Sequence, residues 1–420
     1  MAKNGSIYWN PIMETMPREK LRELQVKKFK RVFEWAYKNS PFYKKLYKDA
    51  GMEPGDIKTL EDIKKVPKTD KGMLREVQNR PPFPYGDMLA VPLQDVTEFR
   101  QTSGTTGTPV YQADTWQDWE WWAESWAYIL YAQGYRDTDR MFLPFGYNIF
   151  VAFWACHYAA EKLGCEVVPG GVLDTEARIM KMQELKCTAF GATPTYVLGM
   201  ADTARKIGID PRSIGIQRIT CAGEPGASIP TTKQRIEEAW GAKVYDHIGA
   251  TEIGAWSYMC TAQKGLHINE AFFLVEIEDT ETGEIIEEPM KNGKMIITAF
   301  DRQAKPCIRF DSKDVIRWAD YECECGRTFR IIDGGVVGRA DDITKVKGVL
   351  LAPTAIEEVV RSFNELSDEY EVIVTKKGDI DDIMLKIEIK PGFEKQEADI
   401  LNRLKDQLRV KTNLGYKIEI

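Results

Sequence analysis

The sequence predicts an α/β chain. A large N-terminal domain of mostly parallel sheet, wrapped by helices and carrying a β-barrel-like section, is followed by a small α+β C-terminal domain. Three observations predict this. Between Arg100 and Gly249, short apolar runs alternate with helical patterns, the rhythm of a parallel sheet covered by helices. After about His267, strand-like runs follow one another through turns such as Glu281-Thr282-Gly283 and Lys291-Asn292-Gly293. From Gly338 onward, helix and strand patterns mix again. These shifts place a boundary near Gly338–Asp342 and divide the chain into 1–337 and 338–420.

The elements run in order. Residues 1–80 read as helical, interrupted at Pro41 and Pro54-Gly55. Within the tryptophan-rich stretch, Trp119, Trp122 and Trp126 share one helical face, which predicts core packing. Arg140–Phe145 reads as a strand, and Ile149–Leu163 as a helix stopped by Gly164. Cys165–Pro169, Cys187–Ala192, Arg218–Ala222 and Lys243–His247 read as strands. The helices between them are Glu176–Leu185, Thr195–Ile207 and Thr232–Trp240. Phe272–Glu278, Lys294–Phe300 and Asp314–Trp318 form the antiparallel or barrel-like section. The last unit reads as helix Ile356–Phe363, strands Glu371–Thr375 and Met384–Ile389, helix Glu394–Val410 and strand Tyr416–Ile420.

Composition excludes several classes. Of 420 residues, 43% are hydrophobic and 29% charged, the balance of a folded globular chain rather than a disordered or collagen-like one. The net charge of −7 argues against a nucleic-acid binder. The one basic stretch, Met16–Ala50, carries Val26, Phe29, Phe33 and Ala36 at helical spacing, so its lysines read as a solvated face. No apolar run reaches the roughly 18 residues of a membrane span, and Met1–Gly5 begins no secretory leader. The expectation is therefore cytoplasmic, with no membrane and no nucleic-acid partner. Eight Cys in so long a chain make no disulfide framework. Cys156, Cys165, Cys187, Cys221 and Cys307 read as packing residues, and His157 as a satisfied interior histidine.

Five motifs could carry chemistry. Thr102–Pro109 combines two glycines with hydroxyl side chains, a composition suited to cradling phosphate and equally to a flexible turn. Cys221–Pro225 and Tyr245–Glu252 each follow a strand, where ligands of α/β sheets bind. Glu252 offers a hard oxygen for Mg²⁺. Asp311–Asp314 and Gly338–Asp342 could be a β-turn and a charged linker when taken alone.

In order and approximate spacing, these motifs resemble the adenylate-forming (AMP-forming) acyl-CoA synthetase superfamily, and within it the phenylacetate–CoA ligase branch. Tyr8-Trp9-Asn10-Pro11, Gln25, Ser40-Pro41-Phe42-Tyr43 and Ala50–Pro54 add that branch's N-terminal signature. The resemblance implies an ATP-dependent ligase that converts a small-molecule carboxylic acid to its acyl-adenylate and then to the coenzyme A thioester. It implies that Ser103, Gly104, Thr105, Thr106 and Gly107 hold the ATP β,γ-phosphates, and that Gly223, Glu224 and Pro225 line the adenine pocket. Asp246 and His247 would lie against adenine or the acyl group, and Thr251 beside Glu252, the Mg²⁺ ligand. Asp314 would take the ribose hydroxyls with Arg339 nearby. Asp341 would be the hinge of the small domain, and Lys347 and Gly348 would admit CoA. Thr105, Glu252 and Asp341 are the expected catalytic set. Phe145, Tyr147 and Phe150 would wall an aromatic or arylacetic acid, with Ala192 and Gly249 leaving room for its ring.

Two departures accompany the resemblance. Thr108 stands where many relatives carry Lys. The family's adenylating lysine is expected beyond Ile420, so the small domain reads as lacking its last stretch. A separate set, Cys260, His267, Cys323 and Cys325, suits structural Zn²⁺; the other reading is four unconnected buried side chains. Relatives in this branch pair through the large domain, so a homodimer is expected. Two alternatives stay open beside the ligase: a coenzyme F390 synthetase-like nucleotidyl transferase, and a non-catalytic nucleotide- or acyl-adenylate-binding protein.

Overall fold

The computed structural model describes residues 5–102, 108–340, 344–346, 349–351, 353–377, 380–412 and 414–420. An eight-stranded sheet organises the large unit. Its order is Ile331–Ile332, Leu266–Ile268, Gly254–Tyr258, Lys243–Ala250, Arg218–Cys221, Ala189–Ala192, Arg140–Leu143 and Glu166–Pro169. The five strands from Lys243–Ala250 to Glu166–Pro169 run parallel, as the alternating rhythm predicts. The remaining three add antiparallel strands at one side.

Strand residues alternate between the two faces. Met141, Leu143, Ala189 and Tyr245 pack with the helices Trp116–Ala132 and Ala152–Leu163. Phe142, Phe190, Ile219 and Val244 pack with Thr175–Glu184, Pro194–Lys206 and Pro230–Trp240. Trp119, Trp122 and Trp126 are buried, as their spacing requires. Gly164 and Gly241 end their helices in the left-handed region, where a side chain would be strained.

The section expected to be antiparallel or barrel-like is a five-stranded sheet. Phe273–Glu278, Gly293–Ala299 and Phe310–Ile316 pair antiparallel, and Gly338–Arg339 pairs antiparallel with Phe310–Ile316. Thr69–Asp70 joins the same strand in parallel from far away in the chain. The last unit packs helices Pro353–Arg361 and Glu397–Thr412 on strands Leu366–Lys377, Ile380–Ile389 and Lys417–Glu419. No helix among the described residues is long and apolar enough to cross a membrane.

Several boundaries differ from expectation. The strand Arg140–Leu143 stops at Pro144, and its following helix begins only at Ala152. The strand starting at Lys243 continues through Ala250, so Asp246, His247 and Gly249 sit within a strand. A hairpin, Glu98–Gln101 with Tyr111–Asp114, flanks the segment read as a phosphate loop.

One ion pair ties these parts together. Arg302 and Asp114 are 3.0 Å apart, and both side chains are wholly buried. Arg302 also donates to the backbone carbonyls of Thr251, at 3.2 Å, and Glu252, at 2.9 Å. The Trp122 indole donates to the same Asp114 oxygen. Removing one partner strands a buried charge. Arg302→Met is therefore expected to lower the unfolding free energy by about 3–5 kcal/mol. Urea unfolding of the purified variant measures this, and a loss under about 1 kcal/mol would contradict the assigned role.

Candidate active site

The carboxyl ends of the parallel strands open into a cavity of about 730 Å³. It lies between the two sheets, and Thr354 and Glu357 of the small unit also line it. The expected residues Gly223, Glu224, Pro225, Asp246, His247, Gly249, Glu252, Asp314 and Arg339 all line it. Gly223 adopts φ +93°, which lets the chain turn sharply after the strand Arg218–Cys221. Glu224 is held by the start of the helix Pro194–Lys206, accepting from the Thr195 amide at 2.7 Å and its hydroxyl at 2.5 Å. Asp314 pairs in register with Arg339, whose guanidinium lies 3.7 Å from its carboxylate.

Asp246 and His247 are neighbours on one strand and so point to opposite faces. Asp246 is 3% exposed and bonds towards Ser228. Burial pushes its carboxyl up to about 6, against the pull of hydrogen bonds from Ser228 and the His247 amide. His247 is 4% exposed, and its ring meets Trp126 with centroids 4.1 Å apart. Its Nδ1 lies 2.9 Å from the Ser257 carbonyl. Burial lowers the imidazole to about 4, against that hydrogen bond.

Glu252 is buried at the cavity wall, with Lys71 2.9 Å from its Oε1. A carboxylate that already holds a cation at the cavity fits the oxygen-donor preference of Mg²⁺. Thr251 does not line the cavity; its carbonyl anchors Arg302. Sequence reasoning missed Lys71, Arg75 and Lys305. Arg75 lines the cavity and donates to the Thr108 carbonyl at 2.9 Å. Lys305 is buried and donates to the Tyr111 carbonyl at 2.5 Å; burial, aided by Arg302, lowers its ammonium to about 7. No motif announces these residues, because the fold alone brings Lys71 and Lys305 near Glu252 and Arg75 to the cavity.

Other expected residues sit elsewhere. Ser103, Gly104, Thr105, Thr106, Gly107, Asp341, Lys347 and Gly348 lie outside the described residues. The aromatic wall of Phe145, Tyr147 and Phe150 does not line the cavity, and neither does Ala192, buried at the end of its strand. Phe145 stacks on Phe153 with centroids 3.8 Å apart, and Phe150 is 43% exposed. Tyr147 bonds to His157 at 2.7 Å, and His157 to Glu161 at 3.1 Å. Phe145 and Tyr147 are thus engaged by neighbouring rings, whereas Phe150 is exposed.

Away from the cavity, the ligand atoms of Cys260, His267, Cys323 and Cys325 lie within 4.8 Å of one another, all in buried residues. Cys260 and Cys323 sulfurs are 3.6 Å apart, close to the edge of about 3.8 Å in a tetrahedral zinc thiolate. The His267 Nδ1 faces the Phe329 carbonyl at 3.3 Å, leaving Nε2, 3.4 Å from the Cys325 sulfur, as the ligating atom. Hydrogen bonding from Cys260 holds the Cys323 thiol down at about 5, below its ordinary value. The donor set fits structural Zn²⁺ with no open position.

Residues 348–420 match the family model for the AMP-binding enzyme C-terminal domain. The chain is 32% identical to a phenylacetate–coenzyme A ligase of Thermus thermophilus, over 98% of this chain and 94% of that one. It superposes with a TM-score of 0.93 on a 2-hydroxyisobutyryl-CoA ligase in its postadenylation state holding an acyl-AMP, at 26% identity, covering 100% of this chain and 90% of that one. The same ligase in its thioesterification state, with CoA, gives 0.79 at 28% identity and equal coverage.

Two outcomes follow. Folding favours the protonated Asp246, whose unfolded value lies near 4. Its contribution is fully present below that pH and is lost as pH rises through about 6. Asp246→Asn is expected to remove about 2–3 kcal/mol of the fall in unfolding free energy between pH 4 and 7, read from urea melts at each pH. For the cysteine set, protein purified without chelator is expected to carry one zinc per chain by elemental analysis. Cys325→Ala should lose that metal and melt at lower temperature.

Proposed function

The chain belongs to the phenylacetate–coenzyme A ligase branch of the adenylate-forming enzymes and is an ATP-dependent, AMP-forming acid–thiol ligase; we propose that its acid is aromatic or arylacetic. The observation that carries the residue roles is the convergence of four motifs, far apart in sequence, on one cavity at the strand ends. The aromatic choice leans on the kinship to phenylacetate–coenzyme A ligases.

A carboxylate acylates poorly until its oxygen is bonded to phosphorus. The acid oxygen attacks the ATP α-phosphate and pyrophosphate leaves. The CoA sulfur then attacks the activated carbonyl and AMP leaves. Gly223–Pro225 and Asp246 form the adenine side of the cavity in this reading, and Asp314 with Arg339 the ribose side. Glu252 would hold Mg²⁺, which when bound would offset the charge of the leaving pyrophosphate. Lys71 and Arg75 bring the positive charge to the phosphate end that Thr108 lacks. Residues 338–420 form the small mobile domain, and the better superposition on a postadenylation state supports an adenylation-type arrangement here. None of the eight cysteines is in a disulfide, which suits a reducing cytoplasm.

AMP release with ATP, Mg²⁺, CoA and a panel of aromatic and arylacetic acids tests the reading. Glu252→Gln is expected to reduce acid-dependent turnover by about 100-fold or more, leaving the unfolding midpoint close to wild type. AMP transferred to another acceptor without a CoA thioester would favour the nucleotidyl transferase instead. Nucleotide binding without turnover would favour a binding protein.

A further inference from the structure

We propose that the acid activated at this site carries a hydrogen-bond donor of its own, a hydroxyl or an amino group, that meets Nε2 of His247. The inference rests on the ligase reading above and adds the acid's chemistry to it.

The Ser257 carbonyl oxygen can only accept, so the Nδ1 facing it at 2.9 Å carries the ring's proton. The ring is neutral near pH 7 because burial disfavours the imidazolium. Nε2 is then a bare lone pair. Among the described residues it meets no hydrogen-bond partner, and His247 lines the cavity. The local backbone keeps that atom open. A Cβ added at Gly249 would lie 3.0 Å from Nε2 and 2.9 Å from the Gly254 carbonyl, so any larger residue there would crowd the ring.

Strand geometry says which substrate the lone pair faces. Val244 and Asp246 point towards the helix Pro230–Trp240 and Ser228, the side that carries Gly223–Pro225. Tyr245 and His247 point the other way, towards Trp126 and the core beneath the helix Trp116–Ala132. The adenine side and the His247 side are thus separated by the strand itself. A buried acceptor left unpaired by its occupant is costly, so an acid that donates to it gains over one that does not. The expected preference is about 10- to 100-fold in kcat/KM.

Matched acids test this. Phenylacetate is compared with mandelate and the three ring-hydroxylated phenylacetates, and isobutyrate with 2-hydroxyisobutyrate, by AMP release. Wild type is expected to prefer one hydroxylated member at least about tenfold over its deoxy partner. His247→Leu should erase that preference while the KM for ATP stays within about twofold. His247→Gln, which keeps an acceptor, should retain part of it. Equal use of both members by wild type overturns the inference without any variant. So does a preference that survives in His247→Leu, or a rise in the KM for ATP with acid selectivity unchanged, which would turn Nε2 towards the adenine amine. Turnover of plain and hydroxylated acids alike keeps the ligase reading and removes only this inference. No AMP from any acid removes the acid class proposed above and this inference together.

Discussion

Arg302 and Asp114 are the constraint on which the site hangs. Both charges are wholly buried, and burial raises the Asp114 carboxyl even beside the guanidinium. Taking two charges out of water is costly, and a well-packed apolar pair can do as well for stability alone. What an apolar pair cannot do is reach three acceptors in a fixed fork. Arg302 spans from the hairpin strand Tyr111–Asp114 to the turn Thr251–Glu252. The next residues, Gln303 and Ala304, give their amides to Asp118, which also closes the capping box of the helix Trp116–Ala132. One short segment therefore fixes the strand Tyr111–Asp114, the start of the helix Trp116–Ala132, and the backbone of Glu252. The pair is better understood as positioning than as glue.

The second organising fact is the pleat of the strand Lys243–Ala250. Two adjacent residues, Asp246 and His247, are forced to opposite faces, so one short motif lines the cavity from two sides of its strand. Burial acts on both, but with opposite consequences for charge. It holds the acid towards its neutral form on one face and the imidazole in its neutral form on the other. The cavity wall carries charge of both signs, Lys71, Arg75, Lys313 and Arg339 against Glu224, Glu252, Asp311, Asp314 and Glu357.

The parallel part of the fold was legible because each helix is bounded by its own signals. Gly164, Gly208 and Gly241 each close a segment in the left-handed region, and apolar runs resume directly after them. The hairpin Glu98–Gln101 with Tyr111–Asp114 was not legible, since strands of four mixed polar residues carry no clear period. The motif residues around the cavity were legible as motifs. Their supports were not: Lys71 reaches Glu252, and Arg302 reaches Asp114, across chain separations that leave no local pattern. Phe145, Tyr147 and Phe150 have the composition of a binding surface, yet Phe145 and Tyr147 pack on other rings, and composition alone cannot separate the two uses.

The apolar clusters of the large unit end by Val336, and the cluster of the small unit begins at Leu351. No apolar core crosses between them among the described residues. What does cross at the cavity is polar: Thr354 bonds to the Val337 carbonyl, and Glu357 lines the same space as Glu224. Burial raises the Glu357 carboxyl, and the charge of Glu224 adds to that. An interface built this way can part and re-form while exposing little hydrophobic surface. Under the proposed reading, in which the small unit changes arrangement between the two steps, such a seam is what the motion needs. The division of the cores thus supplies, in packing terms, what the proposed chemistry requires of the fold.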